Sequence, residues 1–404
     1  MTLKSSAAPY IRQSKTTLQI MIELCIGLGL VWLFNIIYTF IASGVYYGLW
    51  SIFNMVIAVV VTELCDVVTA LVRHKKGESR KDEILYLLGH NYSFVTAAIL
   101  VLTLPVWTPL YVTILGCIFG TVVVKNFFGG FGRNIFNPAA LARIFVVVSF
   151  QGQISAAASG IEAITSGTVT SLVNASNNWI SYSYETLLPS GYNLWQVFVG
   201  TYFGAAGETS TLLILLVGIV LAIRHDINWR TPAFYLGTVG VTALFVGLIF
   251  RVDNVFAYSL LHLSLGGVAF GAVFMLTDPV TGPTSNFGKA LMGVFAGFMT
   301  MVIRYSAGSS YPEGVIFSIA LANLISPVVD HFVIGKSTRR LPLKYGIVFG
   351  GVVLTMVLSM VIVGNSINWD NSKKTTYKTT DNPTSIVVQN EVNEILPYSL
   401  EEVM

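Results

Sequence analysis

Residues 204–211 read Gly-Ala-Ala-Gly-Glu-Thr-Ser-Thr and lead without a break into the uncharged run Leu-Leu-Ile-Leu-Leu-Val-Gly-Ile-Val-Leu-Ala-Ile at 212–223. The run predicts a short membrane helix, and the small, hydroxyl-rich turn marks its beginning. Ser and Thr oxygens cap helices because they accept hydrogen bonds from the first free backbone N–H groups. A helix N-terminus also carries partial positive charge, which suits a phosphate. The stretch therefore predicts either a plain N-cap or an anion site.

The rest of the chain shares this apolar character. Of its 404 residues, 54% are hydrophobic and 11% are charged, and the mean hydropathy is +0.71. A soluble domain averages about 25% charged residues, so the composition predicts an all-α polytopic membrane protein. The cysteines Cys25, Cys65 and Cys117 lie far apart and form no CxxC motif. This spacing argues against an iron–sulfur cluster or a zinc site held by this chain alone.

A transmembrane helix needs about 20 apolar residues, and the chain offers about ten or eleven such segments. The runs at 91–105 and 210–223 are short, so we expect re-entrant segments at 85–92 and 194–208 to complete them. Interrupted helices are tolerated at membrane depth only where protein or a cavity surrounds them, so they mark candidate sites. The predicted spans are 18–41, 46–72, 91–105, 109–125, 136–150, 210–223, 232–250, 257–276, 288–304, 313–331 and 344–364.

The positions of Lys and Arg predict the orientation in the membrane. Basic residues cluster at 73–81 and 336–344, whereas none occurs between Arg143 and Arg224. Loops rich in Lys and Arg face the cytoplasm, so both clusters and the N-terminus are predicted inside. The predicted organisation is a cytoplasmic segment at 1–17, a membrane domain at 18–364 with an outer loop at 151–193, and a polar tail outside the membrane at 365–404.

A second motif, Gly-Gly-Phe-Gly-Arg-Asn-Ile-Phe-Asn-Pro-Ala, occupies residues 129–139 at the start of a span. Pro138 suits the first turn of a helix, where its missing N–H costs nothing, and Asn137 can cap it. The glycines allow close approach of the backbone to another chain segment or a ligand. Arg133 and Arg143 could hold a phosphate or a carboxylate. The alternative interpretation is a packing joint in a broken helix.

A third motif, Met-Leu-Thr-Asp-Pro-Val-Thr-Gly-Pro-Thr-Ser, occupies residues 275–285 between two spans. Its two prolines and one glycine exclude a continuous helix. Thr277 and Asp278 would then be available to backbone amides or to the polar edge of a ligand. A simple tight loop is the alternative.

Two acidic residues, Glu63 and Asp66, lie three positions apart within a predicted span and therefore share a helix face. Acidic groups at membrane depth are costly and usually functional, so the pair is a candidate for coupling to Na+ or H+. The alternative is a structural pairing with a basic group on a neighbouring helix or subunit.

Taken together, the segments GGFGRNIFNPAALARIF, GETSTL, MLTDPVTGPTS and the late YPEG…LANLISPVVD resemble one protein family. They are similar to the flavin-carrying membrane subunits of two related respiratory complexes. These are the B subunit of the Na+-translocating NADH:quinone reductase and the D subunit of the Rnf complex. The resemblance covers residues 8–364, and the opening segment APYIRQS at 8–14 is similar to that of the D subunit.

The resemblance implies two inverted five-helix repeats with broken helices, and it makes 18–364 a flavin-binding domain. It also implies FMN joined through its phosphate to Thr209, with Gly207, Glu208 and Ser210 beside the attachment point, and it allows a second, non-covalent flavin such as riboflavin. We expect residues of the other two motifs around the flavin. The cofactor-binding residues expected outside the attachment segment are Arg133, Asn137, Arg143, Thr277 and Asp278.

The function implied is electron relay in an Rnf-type ferredoxin:NAD+ oxidoreductase of the plasma membrane, coupled to Na+ or H+ movement. This chain has neither a dinucleotide-binding GxGxxG in a βαβ context nor a cysteine cluster, so it would not be catalytic alone. The implied partners are the membrane-embedded A and E subunits of the Rnf complex, its flavin-bearing G subunit, its soluble B and C subunits, and lipid, but no nucleic acid. Two alternatives stay open: the quinone-reductase B subunit, and a channel or secondary transporter with inverted repeats.

Overall fold

The computed structural model describes residues 15–73, 79–154, 184–188, 193–201, 205, 207, 210–305 and 314–333, and the single positions 346, 350, 353 and 357. Helices and turns make up this part of the chain, which contains no strand. One isolated antiparallel bridge joins Pro105 to Ala205.

The helices fall into two groups on either side of the partly described stretch 150–193. The first group is α1 (Thr17–Ser43), α2 (Val45–Arg73), α3 (Arg80–His90), α4 (Ser93–Thr103), α5 (Leu110–Asn126) and α6 (Pro138–Ser149). The second group is α7 (Leu194–Val199), α8 (Thr211–Ile223), α9 (Arg230–Ile249), α10 (Val255–Ser264), α11 (Val268–Met275), α12 (Asn286–Tyr305) and α13 (Gly314–Val333).

Five of these helices, namely α1, α2, α9, α12 and α13, are long and apolar enough to cross a membrane alone. Two bent pairs also qualify: α3 with α4, bent by 43°, and α10 with α11, bent by 62°. The helices α5, α6 and α8 are shorter and apolar. The chain is therefore an all-α, multi-pass membrane protein, as predicted.

The predicted spans agree with these helices everywhere except at 257–276, and the span 344–364 falls largely outside the described residues. We predicted one span at 257–276, and there the chain forms two helices with a break after Ser264 that the prediction did not include. Gly266 and Gly267 both have a φ of +66°, a left-handed conformation that glycine adopts without strain. The predicted break near residue 91 is confirmed, and there Tyr92 adopts a φ of +50°.

The half-helices α4 and α11 form the centre of the molecule. Nine residues of α4 are buried, and every residue of α11 is buried. A helix that is apolar all round must be enclosed by other helices. By contrast, α1 exposes an apolar stripe that suits lipid, formed by Leu18, Ile22, Ile26, Leu30, Leu33, Ile37 and Ile41.

Each helix break frees backbone carbonyls, which need partners at membrane depth. The Leu102 carbonyl at the end of α4 accepts from the Gly207 N–H at 2.5 Å. At the end of α10, the Arg304 guanidinium donates to the carbonyls of His262 at 2.8 Å and Leu265 at 2.6 Å. The C-terminal ends of α4 and α10 are therefore stabilised by groups from distant parts of the sequence.

Candidate functional site

A cavity lies between the two central half-helices. Its space is about 690 Å³, including its open mouth, so this figure is an upper limit for a bound molecule. Small-molecule pockets typically measure about 300–1,000 Å³ and combine apolar walls with a few polar groups. The polar lining residues are Thr96, Lys125, Asn134, Asn137, Asp226, Thr277 and Asp278, and the aromatic ones are Tyr92, Phe131 and Phe274.

The second motif reaches the cavity through a tight turn before α6. Gly129, Gly130 and Gly132 have φ values of +115°, +91° and +89°, which explains why glycine occupies these positions. Asn137 caps α6 as predicted, with its side-chain oxygen accepting from Ala139 N at 3.0 Å and from Ala140 N at 3.3 Å. Pro138 occupies the first turn of the helix.

Asn137 also joins the second motif to the third. Its side-chain Nδ2 donates to the carbonyl oxygen of Met275 at 3.0 Å, and this bond is buried. The two motifs are 138 residues apart in sequence, so no sequence pattern reports this contact. It explains why both motifs line one cavity.

The third motif forms a compact loop that is closed by its own side chains. Asp278 accepts from the Val280 N–H at 3.0 Å and from the Thr281 hydroxyl at 3.2 Å. Thr277 donates to the Val273 carbonyl at 2.5 Å. Burial raises the pKa of Asp278, and its two hydrogen bonds oppose that rise. The loop thus presents a carboxyl group held at a fixed position beside the cavity.

The acidic pair lies next to the same region. Asp66 is fully buried, and one of its oxygens accepts from the side-chain amides of Asn91 at 2.6 Å and Asn126 at 2.9 Å. Glu63 is partly buried and accepts from the Phe94 N–H at 3.1 Å. Within the described residues neither carboxylate forms an ion pair, so the structural alternative of a direct basic partner is not observed there.

Lys125 was not among the predicted site residues, yet it reaches the cavity. Its side chain is 2% exposed, lines the cavity and donates to the Asn91 carbonyl and to the Ser93 hydroxyl. A lysine at the end of an apolar run, followed directly by Asn126, was the available signal. Periodicity could not show that the helix break at Asn91 packs against it.

A charged cluster at the cavity rim was also missed. Lys15 contacts the carboxylates of Glu23 and Asp226, each at 2.6 Å, and the Arg224 guanidinium contacts Glu23 at 2.6 Å and 2.8 Å. Desolvation opposes the charge of Lys15, but its hydrogen bonds to these carboxylates outweigh that effect and raise its pKa. The cluster ties α1 to the end of α8, and Asp226 carries it to the cavity.

The two arginines of the second motif do not line the cavity. Arg133 is exposed on the turn, where its side chain packs over Gly129. Arg143 is 2% exposed within α6. The structure therefore brings Asn137, Thr277 and Asp278 together, and it places both arginines elsewhere.

The first motif is described only in part, because Glu208 and Thr209 lie outside the described residues. Ser210 is the N-cap of α8, and its hydroxyl accepts from the Leu213 N–H at 3.2 Å. Ser210 therefore provides a side-chain cap for α8. The Thr211 hydroxyl donates to the Ser264 carbonyl at 3.3 Å. Both residues are buried, with exposed fractions of 3% and 2%.

Gly207 lies at a close approach between the two halves of the chain. A β-carbon added there would lie 2.9 Å from the Leu102 carbonyl oxygen and 2.9 Å from the Phe270 ring. These residues belong to α4 and α11. The described part of the first motif therefore contacts both central half-helices.

Comparison with known proteins places this architecture in a family. The model of the NQR2, RnfD, RnfE family matches residues 4–339. The B subunit of the Na(+)-translocating NADH-quinone reductase of Chromohalobacter salexigens is 36% identical over 265 residues, which is 64% of this chain and 63% of that protein. The corresponding protein of Pseudomonas aeruginosa strain LESB58 is 37% identical over 251 residues, covering 61% of this chain and 60% of that protein.

A third relative has a different name and a longer match. The D subunit of the proton-translocating ferredoxin:NAD(+) oxidoreductase complex of Clostridium ljungdahlii is 33% identical over 348 residues. The match covers 84% of this chain and 95% of that protein. The chain thus spans less than two thirds of the length of the quinone-reductase relatives, but almost the whole of the clostridial protein.

Proposed function

The chain belongs to the NQR2, RnfD, RnfE family, and from this premise we propose that it is the D-type membrane subunit of an Rnf-type ferredoxin:NAD+ oxidoreductase. In this proposal it relays electrons through covalently bound FMN while the complex moves Na+ or H+ across the plasma membrane. The flavin supplies one-electron chemistry when bound, and the protein sets its position and surroundings.

The extent of the match to the clostridial D subunit is the observation that carries this choice. The alignment runs over 95% of that protein, whereas the alignments to the quinone-reductase B subunits of Chromohalobacter and Pseudomonas stop at 63% and 60% of their lengths. The function of the quinone-reductase protein remains a second candidate, because those two relatives show the higher identities of 36% and 37%.

The neighbours of Thr209 support it as the attachment point. Of three consecutive hydroxyl residues, Ser210 and Thr211 are buried and each forms a hydrogen bond within the protein. Attachment of a flavin phosphate to Thr211 would remove the hydrogen that its hydroxyl donates, and attachment to either residue would require a large group at a buried position. Thr209 also matches the family attachment position by motif. We therefore propose a phosphoester at Thr209, with Gly207 and Glu208 in the same segment.

The cavity has the chemistry expected for a second, non-covalent flavin. Tyr92, Phe131 and Phe274 provide aromatic surface against which a planar ring can pack. The side-chain oxygen of Asn134 is buried and accepts no hydrogen bond within the described residues. An orphaned acceptor in a cavity suits a donor on a ligand, as the ring N–H of a flavin would be. Asn137 and Asp278 would fix the polar edge.

We propose that the acidic pair, Glu63 and Asp66, couples the complex to movement of Na+ or H+. Asp66 is fully buried, and its second carboxylate oxygen has no hydrogen-bond partner within the described residues. A buried carboxylate oxygen without a donor is costly, and a cation or a proton would satisfy it. Glu63 lies one helical turn away on the same helix.

The experiment that tests the relay is the removal of the Thr209 hydroxyl. Wild-type protein and the variant Thr209→Val are each expressed with a flavin transferase, and the denatured bands are examined for in-gel flavin fluorescence. We expect fluorescence from the wild type and none from the variant. The matched controls Ser210→Ala and Thr211→Val should keep the flavin, although loss of the cap in Ser210→Ala should cost about 1 kcal/mol.

Two results would count against the proposal in different ways. If the Thr209→Val band still fluoresces while one control band is dark, the attachment site is the residue changed in that control. A wild-type band without flavin would contradict the electron-relay proposal and favour the channel or transporter alternative. Reduction of the membrane-bound complex by reduced ferredoxin rather than by NADH would separate the Rnf function from the quinone-reductase function.

A further inference from the structure

Lys125 is a buried cation at a position that the relay proposal does not use. Only 2% of the residue is exposed, and it lies in the π-helical part of α5. Its ammonium donates to the Asn91 carbonyl and to the Ser93 hydroxyl, the latter at 3.2 Å. It also lies 5.8 Å from the centre of the Phe131 ring. These contacts hold the charge at the wall of the cavity.

The charge of Lys125 has carboxylates around it but none in contact. Asp66, Asp278 and Glu63 are near enough to interact with it electrostatically. Within the described residues, however, none of them forms an ion pair with it at 4.0 Å or less. Burying a charge without a contacting partner is expensive. This arrangement therefore favours a negative charge arriving from the cavity side.

Three polar groups of the cavity wall border the same space. Lys125, Asn134 and Asp278 all line the cavity, as do the aromatic rings that would pack against a planar group. Asn134 offers an acceptor, and among the described lining residues Lys125 alone offers an ammonium. A ligand with a hydrogen-bond donor at one edge could bind the Asn134 oxygen through that donor, and its electron-accepting ring would then share the cavity with the Lys125 ammonium.

We propose that Lys125 is the electrostatic partner of the reduced ring, making the flavin in this cavity easier to reduce. The inference rests on the proposed second flavin. A flavin bound in this cavity would gain negative charge when the preceding redox group of the complex reduced it, and Lys125 would lie at the cavity wall beside that charge. Opposite charges attract more strongly in a low-dielectric site than in water, and charge near the ring nitrogens tunes the potential of a flavin.

Lys125 also satisfies a carbonyl at the α3–α4 break, so a purely structural role must be separated from an electrostatic one. Lys125→Gln removes the charge, but its amide can still donate to Asn91 and Ser93. Lys125→Arg keeps the charge. Ser93→Ala removes one of the hydrogen bonds of the ammonium and leaves the charge in place, so it is the matched control for structural disturbance.

The test measures the reduction potential of the non-covalent flavin in the full-length chain. All proteins carry Thr209→Val to remove the proposed covalent flavin, and they are titrated with dithionite and mediator dyes while flavin absorbance is recorded. We expect Lys125→Gln to lower the ratio of reduced to oxidised flavin about tenfold at a fixed potential, which is about 59 mV for a one-electron couple. Lys125→Arg and Ser93→Ala should stay near the wild-type value.

The possible outcomes distinguish this inference from the function on which it rests. An unchanged potential in Lys125→Gln, or an equal shift in Ser93→Ala, would overturn the role of Lys125 and leave the cavity flavin intact. Loss of flavin from Lys125→Gln and Lys125→Arg alike would assign the residue to architecture alone. If only Lys125→Gln loses flavin, and Lys125→Arg keeps both its flavin and its reduction potential, the result would support an electrostatic role for Lys125. Absence of extractable flavin from the parent protein would retire the cavity flavin and this inference together.

Discussion

The link between the second and third motifs depends on one side chain, so Asn137→Ala is the most informative perturbation of the fold around the site. The substitution removes the cap of α6, which accepts from the N–H groups of Ala139 and Ala140. It also removes the 3.0 Å hydrogen bond from Asn137 to the Met275 carbonyl. These bonds are buried, and they use different atoms of the same side-chain amide.

The magnitude follows from these two contacts. Loss of an N-cap costs about 1 kcal/mol. A buried carbonyl left without its donor costs about 1–3 kcal/mol. We therefore expect Asn137→Ala to lower the free energy of unfolding by about 2–4 kcal/mol, and Asn137→Ser, which keeps a capping oxygen, to lower it by about 1–3 kcal/mol.

The matched control is Asn254→Ala at the start of α10. Asn254 is an N-cap that accepts from the Ala257 N–H at 3.1 Å, but it is exposed. Its loss should cost about 1 kcal/mol, the cost of a cap alone. The two asparagines thus separate the cost of capping from the cost of the inter-motif contact.

The assay is thermal unfolding in detergent, followed with a fluorescent dye that reacts with thiols. Cys117 is fully buried, so its reaction reports loss of the packed core. We expect the apparent melting temperature to fall most for Asn137→Ala, less for Asn137→Ser and least for Asn254→Ala. Equal shifts for Asn137→Ala and Asn254→Ala would refute the reasoning, since the bond to Met275 would then contribute nothing.

Three further predictions concern packing, ion coupling and orientation. Gly207→Ala should destabilise the protein by about 1–3 kcal/mol through overpacking, because its β-carbon would meet the Leu102 carbonyl and the Phe270 ring at 2.9 Å. The control Gly237→Ala has open space around it, so it should leave the apparent melting temperature in the same assay unchanged. Replacing Glu63 with Gln and Asp66 with Asn should reduce ion transport in the assembled complex without changing flavin content; unchanged transport per electron would make the pair structural. A reporter active only in the cytoplasm, fused after Met404, should be silent if the tail is outside, and a bright fusion would reverse the predicted topology.

The short helix at 210–223 and the glycine turn at 129–132 illustrate what could be predicted locally. Apolar length, the proline after Asn137 and the preference of glycine for left-handed backbone are properties of a few adjacent residues. The helix bounds outside 257–276 and 344–364, the cap of α6 and the break before Ser93 were predicted correctly for that reason. The break after Ser264 was missed, because an apolar run looks continuous even where two glycines interrupt it.

Sequence alone thus determined that this chain is a multi-pass helical membrane protein with three polar interruptions, since hydrophobic length and backbone preference act locally. Only the tertiary structure decided that Asn137 bonds to Met275, that the Thr211 hydroxyl donates to the Ser264 carbonyl, and that Lys125 faces the cavity. These contacts join residues far apart in the chain. They depend on how the half-helices pack. A buried carbonyl or charge needs a hydrogen-bonding partner, and the packing decides which residue lies close enough to provide it.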